Sequence, residues 1–323
     1  MASFLRTLFL GASITLIGAA AHADSNAPIR LVIGFPPGGA LDNLARSLAE
    51  DLRTTLKEPV LVENRPGAST RISIEAVKAA RPDGRTILLG ATPPFVLFPM
   101  TYARLNYDVD KDFIPIAHLA NVPSVLSAGA GQPFKTLPEY VAWVRKNPTG
   151  ASVGLTNLGG ALHFSVLQLS KAIGVPLAPV TYKGGAPLAT DLIGGHVPFA
   201  ADALASQLEL HRAGKLRILG VAGTRRLSWL PDVPTIKESG YDAFDRANAA
   251  YAAFVPAGTP KDVAAKLEAA LLAAMRNPQV RAQVDRMGLE ATGLPGAEVT
   301  RIMREDRAYW RPIVKASGFR SED

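Results

Sequence analysis

The sequence predicts an α/β protein built in two domains, on three observations. Apolar runs rich in Val, Ile and Leu alternate with stretches of helical periodicity, the pattern that builds parallel sheets flanked by helices. The 323 residues exceed what a single hydrophobic core usually serves. Three times, a strand-like run ends in paired glycines and a helical pattern begins at once.

The N-terminus comes first in the chain. Residues 1–7 carry one basic residue, Arg6, and no acid. Residues 8–20 are apolar, and Ala21-His22-Ala23 fits a small-x-small cleavage site, so residues 1–23 read as a secretory signal peptide. The apolar run is shorter than the roughly 20 residues that span a bilayer. The expectation is a soluble mature chain from Asp24 onward, in a bacterial periplasm. With no cysteine, that chain has neither disulfides nor a thiol for a lipid anchor.

The formal charge is +7, of which Arg6 in the leader contributes one, leaving +6 on the mature chain. It is spread without a basic block and without interleaved aromatics, which argues against nucleic-acid binding. A mild cationic bias suits attraction of anions instead.

Strands are expected at residues 29–35, 60–63, 86–90, 152–156, 177–182, 197–201, 216–222 and 251–255, with helices in the gaps. After the first strand, Leu41, Leu44, Ala45, Leu48, Leu52 and Leu56 fall on one helical face. Two helix starts are legible. Thr136 followed by Glu139 forms a capping box, and Thr259, Pro260 and Asp262 suit the N-cap and first-turn positions.

The glycine junctions are Pro37-Gly38-Gly39, Leu158-Gly159-Gly160 and Lys183-Gly184-Gly185. Glycine lets a backbone approach a ligand closely, and the helix that follows offers unpaired N–H groups at the positive end of its dipole. In open α/β sheets ligands bind beyond the carboxyl ends of strands, where such junctions lie. Each junction is therefore a candidate anion cradle.

Enzyme signatures are missing: there is no Gly-x-Ser-x-Gly elbow, no Walker lysine, no His-Glu-x-x-His and no cysteine nucleophile. The mature histidines, His118, His163, His196 and His211, are scattered, and their spacing suggests no metal site. No motif calls for a cofactor.

Phe35-Pro36-Pro37-Gly38-Gly39-Ala40-Leu41-Asp42 followed by Ala45-Arg46, and above all Val62-Glu63-Asn64-Arg65-Pro66-Gly67-Ala68, resemble the Bug (Bordetella uptake gene) family. These are the extracytoplasmic solute receptors of tripartite tricarboxylate transporters. Pro82-Asp83-Gly84, Tyr182-Lys183-Gly184, Asp191-Leu192, Gly194-Gly195, Leu230-Pro231-Asp232-Val233-Pro234-Thr235 and Pro256-Ala257-Gly258-Thr259-Pro260 follow in the family's order. The resemblance implies a type II periplasmic-binding fold, with two α/β lobes joined by crossing strands and a carboxylate held between them by backbone N–H groups, hydroxyls and water. It also implies an inner-membrane permease as partner.

The chain departs from the family pattern at Ala40, at Ser69-Thr70-Arg71 and at Asn157, and residues 92–99 are mostly apolar where the family tends to small polar residues. A wall with fewer donors favours a less polar ligand.

The candidate ligand contacts are Phe35, Pro37, Gly38, Gly39, Ala40 and Asp42 at the first junction, with Thr92, Pro93 and Pro94 beside it. At the second stand Asn157, Gly159, Gly160, Ala161 and His163; at the third Tyr182, Lys183, Gly184, Gly185 and Asp202. For several a structural role competes. Asp42 suits a helix's first turn, His163 suits helix packing, and Asp202 suits a helix cap. Glu63, Asn64 and Arg65 read as a hydrogen-bonded loop clamp rather than a catalytic trio.

The expected organisation places residues 24–121 with 224–323 in one lobe and 122–223 in the other, with residues 122–128 and 216–223 crossing between them. The expected function is that of a monomeric binding protein for a small organic anion, a monocarboxylate or partly apolar acid, serving a transporter. A receptor feeding a sensor kinase and a periplasmic hydrolase or isomerase are the alternatives.

Overall fold

A computed structural model describes residues 27–321, so the leader expectation lies outside the described residues. The chain runs β1 Ile29–Ile33, α1 Ala40–Leu56, β2 Val60–Asn64, α2 Arg71–Lys78, β3 Thr86–Ala91, then short helices α3 Pro93–Val96, α4 Phe98–Thr101 and α5 Val109–Asp112. Strands β4 Phe113–Val122 and β5 Ser124–Gly129 follow, then α6 Leu137–Lys146, β6 Ser152–Leu155, α7 Ala161–Ile173, β7 Ala178–Thr181, α8 Gly185–Ile193, β8 Phe199–Ala203, α9 Leu208–Arg212 and β9 Leu216–Val221. The last elements are β10 Ala249–Pro256, α10 Lys261–Arg276, α11 Pro278–Arg286, β11 Glu290–Pro295 and α12 Gly296–Ser317.

Two sheets form, a six-stranded one in the order β11-β4-β10-β3-β1-β2 and a five-stranded one in the order β7-β6-β8-β5-β9. Within them β2-β1-β3 and β7-β6-β8 are parallel. β10 runs antiparallel to β3 and β4, and β5 antiparallel to β8 and β9. The sheets are therefore mixed, not purely parallel as expected.

The chain changes sheets twice. β4 ends at Val122 in the first sheet, and after Pro123 alone β5 starts at Ser124 in the second. The return runs from the end of β9 at Val221 to Ala249, which pairs with Val122. Residues 222–248 contain no helix, contrary to the expectation that helices fill every gap.

Each sheet is covered on both faces. Leu41, Leu44, Ala45, Leu48 and Leu52 of α1 pack with α10 and α11 against the first sheet, as their spacing predicts. Each such fully buried Leu contributes about 1.5–3 kcal/mol. The opposite face is aromatic: Phe95 stacks on Phe254 with ring centroids 4.2 Å apart, and Trp310 of α12 lies nearby in the same core. That corrects the expected wall at residues 92–99. Pro94 and Phe95 are core residues in a helical turn, and Phe95 has no exposed surface. In the second sheet α6 and α7 cover one face and α8 and α9 the other.

The Thr136 cap forms, accepting from the Glu139 N–H at 3.3 Å. The Thr259 cap does not. α10 starts one residue later, with Pro260 at its N-cap, and the Thr259 hydroxyl is buried without a hydrogen-bond partner among the described residues. Among the described residues no helix is long and apolar enough to cross a membrane.

Candidate functional site

All three glycine junctions join a strand to a helix start: β1 to α1, β6 to α7 and β7 to α8. The N-caps are Gly39, Gly160 and Gly184, and no side chain caps any of them. The opening N–H groups of each helix thus lack an intrahelical acceptor and a capping side chain. Gly38, Gly159 and Gly184 have φ of +87°, +76° and +109°, conformations that need glycine.

At the first junction the Asp42 carboxylate, only 2 % exposed, is fully engaged. It accepts from the Gly38 N–H at 2.9 Å, from Arg46 Nε at 2.9 Å and Nη2 at 3.0 Å, and from Asn64 Nδ2 at 2.9 Å. The hydrogen bonds from Arg46 are the largest cause holding its pKa down to about 2, with Gly38 and Asn64 adding to them against the opposing effect of burial. Asn64 also donates to the Phe35 carbonyl at 3.1 Å, so the end of β2 grips the loop leaving β1. Asp42 is therefore a positioning group for Gly38-Gly39 and has little capacity left for a ligand. Glu63 and Arg65 pair at 2.6 Å, which completes the expected clamp.

Phe35 and Ala40 are half-buried, while Pro37, Gly38 and Gly39 are exposed. A Cβ on Gly39 would meet nothing nearer than the Pro36 carbonyl at 3.8 Å. At the end of β3, Thr92 is buried and its hydroxyl accepts from the Ala250 N–H at 3.1 Å, which ties it to β10. Pro93 is half-buried and Pro94 lies in the core.

Beside this junction Gly67, Ala68, Ser69 and Thr70 have φ of 129°, 46°, 53° and 74°. Three consecutive non-glycine residues in the left-handed region, one of them β-branched, store backbone strain. The run brings Thr70 and Ser73 so close to Gly34 that a Cβ there would sit 2.6 Å from both.

At the second junction the Gly159 N–H donates to His163 Nδ1 at 3.2 Å. His163 is buried and its pKa is lowered by that burial. That bond holds the turn. Asn157 and Leu158 are exposed at the end of β6, and Gly160 and Ala161 open α7.

At the third, Tyr182 donates to Asp191 Oδ2 at 3.0 Å, and burial with that bond raises its pKa. Lys183 is exposed. Asp202 is buried and accepts from Thr156 Oγ1 at 3.1 Å and Ser206 Oγ at 2.5 Å. A Cβ on Gly185 would lie 3.0 Å from Asp202 Oδ2. Asp202 thus links the ends of β6 and β8 to the start of α8.

The parallel trios place these groups together. Junctions two and three and Asp202 share one edge of the five-stranded sheet, and junction one shares an edge of the six-stranded sheet with the ends of β2 and β3. The Arg46 partner of Asp42 was legible from its i,i+4 spacing. Asn248 and Phe319, which tie distant segments together, carry no local signal. Among the described residues no three His, Cys, Asp or Glu side chains gather to hold a metal. A groove of about 740 Å³ between α7, α12 and Gly240–Ala243 includes no junction residue.

Two mixed α/β layers joined by two crossings, each presenting glycine-rich helix starts at its strand ends, define the class of two-lobed solute-binding proteins. Residues 44–319 match the model of the tripartite tricarboxylate transporter family receptors, and the chain belongs to that family. It is 34% identical over 302 residues, 93% of this chain and 91% of the relative, to a UPF0065 protein encoded in the gbd 5' region of Cupriavidus necator. Its fold is similar to that of the periplasmic binding protein BugD, with TM-score 0.77 and 32% identity over 91% of this chain and 99% of that one. Two Rhodopseudomonas palustris structures, each 28% identical, are also similar. One, solved with adipate, has TM-score 0.80 and covers 90% of this chain and 97% of its own. The other, MatC with bound malate, has TM-score 0.75 and covers 89% and 98%. Members of this family are solute-binding receptors, not enzymes.

Proposed function

We propose that this chain is a periplasmic receptor, exported by its leader and released by cleavage, that closes two lobes around a small carboxylate with an apolar body. It then delivers that ligand to an inner-membrane permease of the tripartite tricarboxylate type. The six-stranded sheet with its helices forms one lobe; the five-stranded sheet with its helices forms the other, which takes in Leu227, Leu230, Val233, Ile236 and Phe244 beyond the expected boundary at residue 223. The observation that carries the reading is the set of three helix starts, Gly39, Gly160 and Gly184, left without side-chain caps at the carboxyl edges of parallel strands. The two similar R. palustris proteins were solved with small carboxylates, malate and adipate, of which adipate has an apolar body of methylenes.

Charge-assisted hydrogen bonds from such N–H groups contribute about 1.5–3 kcal/mol each. A micromolar complex needs about −8 kcal/mol. A handful of these bonds, with burial of an apolar body, reaches that value after the costs of association. The apolar preference rests on Ala40, Pro93 and Leu158, which stand beside the junctions and offer no side-chain donor. Leu158 is 44 % exposed and so open to contact with a ligand at the second junction.

Native mass spectrometry of freshly purified protein tests the reading. A co-purifying organic acid, released unchanged on denaturation, is the expected result; a converted product would mean catalysis instead.

A further inference from the structure

We propose that Phe319, in the C-terminal segment after α12, is a positioning residue for the Gly159-Gly160 cradle. The inference deepens the carboxylate-receptor reading and rests on it for its binding arm. The Phe319 ring occupies the place of a residue-159 side chain: a Cβ on Gly159 would lie 2.5 Å from Phe319 Cε1. The ring meets His163 edge-on with centroids 5.2 Å apart, and Phe164 at 5.9 Å and 82°. His163 in turn accepts the Gly159 N–H. One aromatic side chain therefore backs both the glycine whose positive φ turns the chain and the imidazole that fixes it.

The segment carrying Phe319 is itself anchored far from β6. Ser321 donates its N–H to the Thr101 carbonyl at 2.8 Å, and Arg320 donates to the Met100 carbonyl at 3.4 Å. Thr101 and Met100 belong to α4, which follows β3 of the six-stranded sheet. The cradle of the five-stranded sheet is thus held against a segment of the other sheet's layer, through residues that no cleft motif contains. A helix start that points N–H groups at a carboxylate works only if its direction is fixed before the ligand arrives. Phe319 supplies that fixity from behind, and its removal leaves the Gly159 turn free to rotate its N–H groups off the ligand.

The test compares Phe319→Ala and Phe319→Leu with the full-length mature protein. Adipate, malate and benzoate are the binding probes, measured by calorimetry, and hydrogen–deuterium exchange is followed at residues 158–161. Phe319→Ala is expected to weaken the best-bound probe by an order of magnitude and to speed exchange at residues 158–161. Exchange at residues 86–91 should stay unchanged, and Phe319→Leu should recover most of the affinity. Equal affinity in wild type and Phe319→Ala, or a uniform loss of protection across the chain, would overturn the positioning role and leave a merely structural contact. If none of the probes binds wild type, the carboxylate reading fails, and the exchange pattern alone decides whether Phe319 fixes this turn.

Discussion

The side-chain carbonyl of Asn248 accepts the backbone N–H of Ser124 at 2.8 Å, joining the two places where the chain crosses between sheets. Its amide donates to the Ala222 carbonyl at 3.2 Å, on the other flank of the return segment. Ser124 is buried, so losing this acceptor strands its N–H away from water. Asn248→Ala is expected to cost about 1–3 kcal/mol, the penalty of an unsatisfied buried donor. Urea unfolding measures it, and a loss under about 0.5 kcal/mol would mean that water replaces the amide.

Asp42 and His118 both contribute to the loss of stability in acid. The Asp42 carboxyl titrates at about 2 in the folded chain against an ordinary 3.8, mainly through Arg46. The folded state therefore keeps the charge longer, and about 2 kcal/mol present above pH 4 disappears as pH falls toward 2. His118, buried in β4 with Nδ1 2.7 Å from the Thr292 hydroxyl, has its pKa lowered from 6.5 to about 4 by burial. The unfolded chain then takes up that proton first, so native stability also falls between pH 6.5 and 4. Asp42→Asn should flatten the lower limb and His118→Gln the upper one. Urea midpoints at half-unit pH steps would show this, and an unchanged slope in either variant removes that residue from the account.

The left-handed run at residues 68–70 predicts a gain. Thr70 has φ of 74°, a region that costs an L-residue about 1–2 kcal/mol and glycine almost nothing. Glycine returns part of that through its more flexible unfolded state. Thr70→Gly should therefore stabilise by about 0.5–1 kcal/mol in chemical denaturation. A loss of stability instead would show that the packing of Thr70 against Gly34 outweighs the strain.

The junction glycines separate by what stands around them. Gly39 and Gly160 have φ of −76° and −90°, with nothing closer to an added Cβ than 3.8 Å and 3.6 Å respectively. Gly39→Ala and Gly160→Ala should thus keep the melting temperature within a few degrees while weakening carboxylate binding about tenfold. Gly159→Ala differs, because its φ is +76° and its Cβ runs into Phe319. It should lower the melting temperature before any effect on binding is read. Unchanged calorimetric affinity in both tolerated variants would mean that the ligand does not approach these turns.

What was legible in the sequence is what local pattern encodes. The Leu41 to Leu52 stripe, the three strand-to-glycine-to-helix turns and the Thr136 cap are short-range signals, and the structure has all of them. β4 and β11 went unread because Pro115 interrupts the one and Gly293 with Pro295 the other, and breakers inside an apolar run hide a strand. Both strands have irregular register, which accommodates those residues. The short helices after Thr92 were hidden by Pro93, Pro94, Phe95, Phe98 and Pro99, and the burial of Phe95 rests on Phe254, more than a hundred residues on. Asp42 and His163 have local partners in Arg46 and Gly159, but Asn64 and Phe319, which complete their surroundings, are brought near only by the fold.

The ligand preference is the most exposed of these expectations. With Pro94 and Phe95 in the core and the Thr92 hydroxyl engaged by Ala250, the side chains flanking the junctions include Ala40 and Pro93 in the first lobe and Leu158 in the second. None of the three has a side-chain donor. A carboxylate pressed against them sheds its water without replacement, at several kcal/mol for an unpaired charge. The three carboxylates of citrate would need all three open helix starts at once to avoid those donor-free side chains, whereas the methylenes of adipate or the ring of benzoate find matching surface. Thermal-shift measurements across benzoate, adipate, malate and citrate check this, since a ligand that binds only the native state raises the melting temperature. Benzoate or adipate should give the largest shift and citrate the smallest. Stabilisation by citrate alone would show that water or mobile side chains bring donors to the Ala40, Pro93 and Leu158 surface.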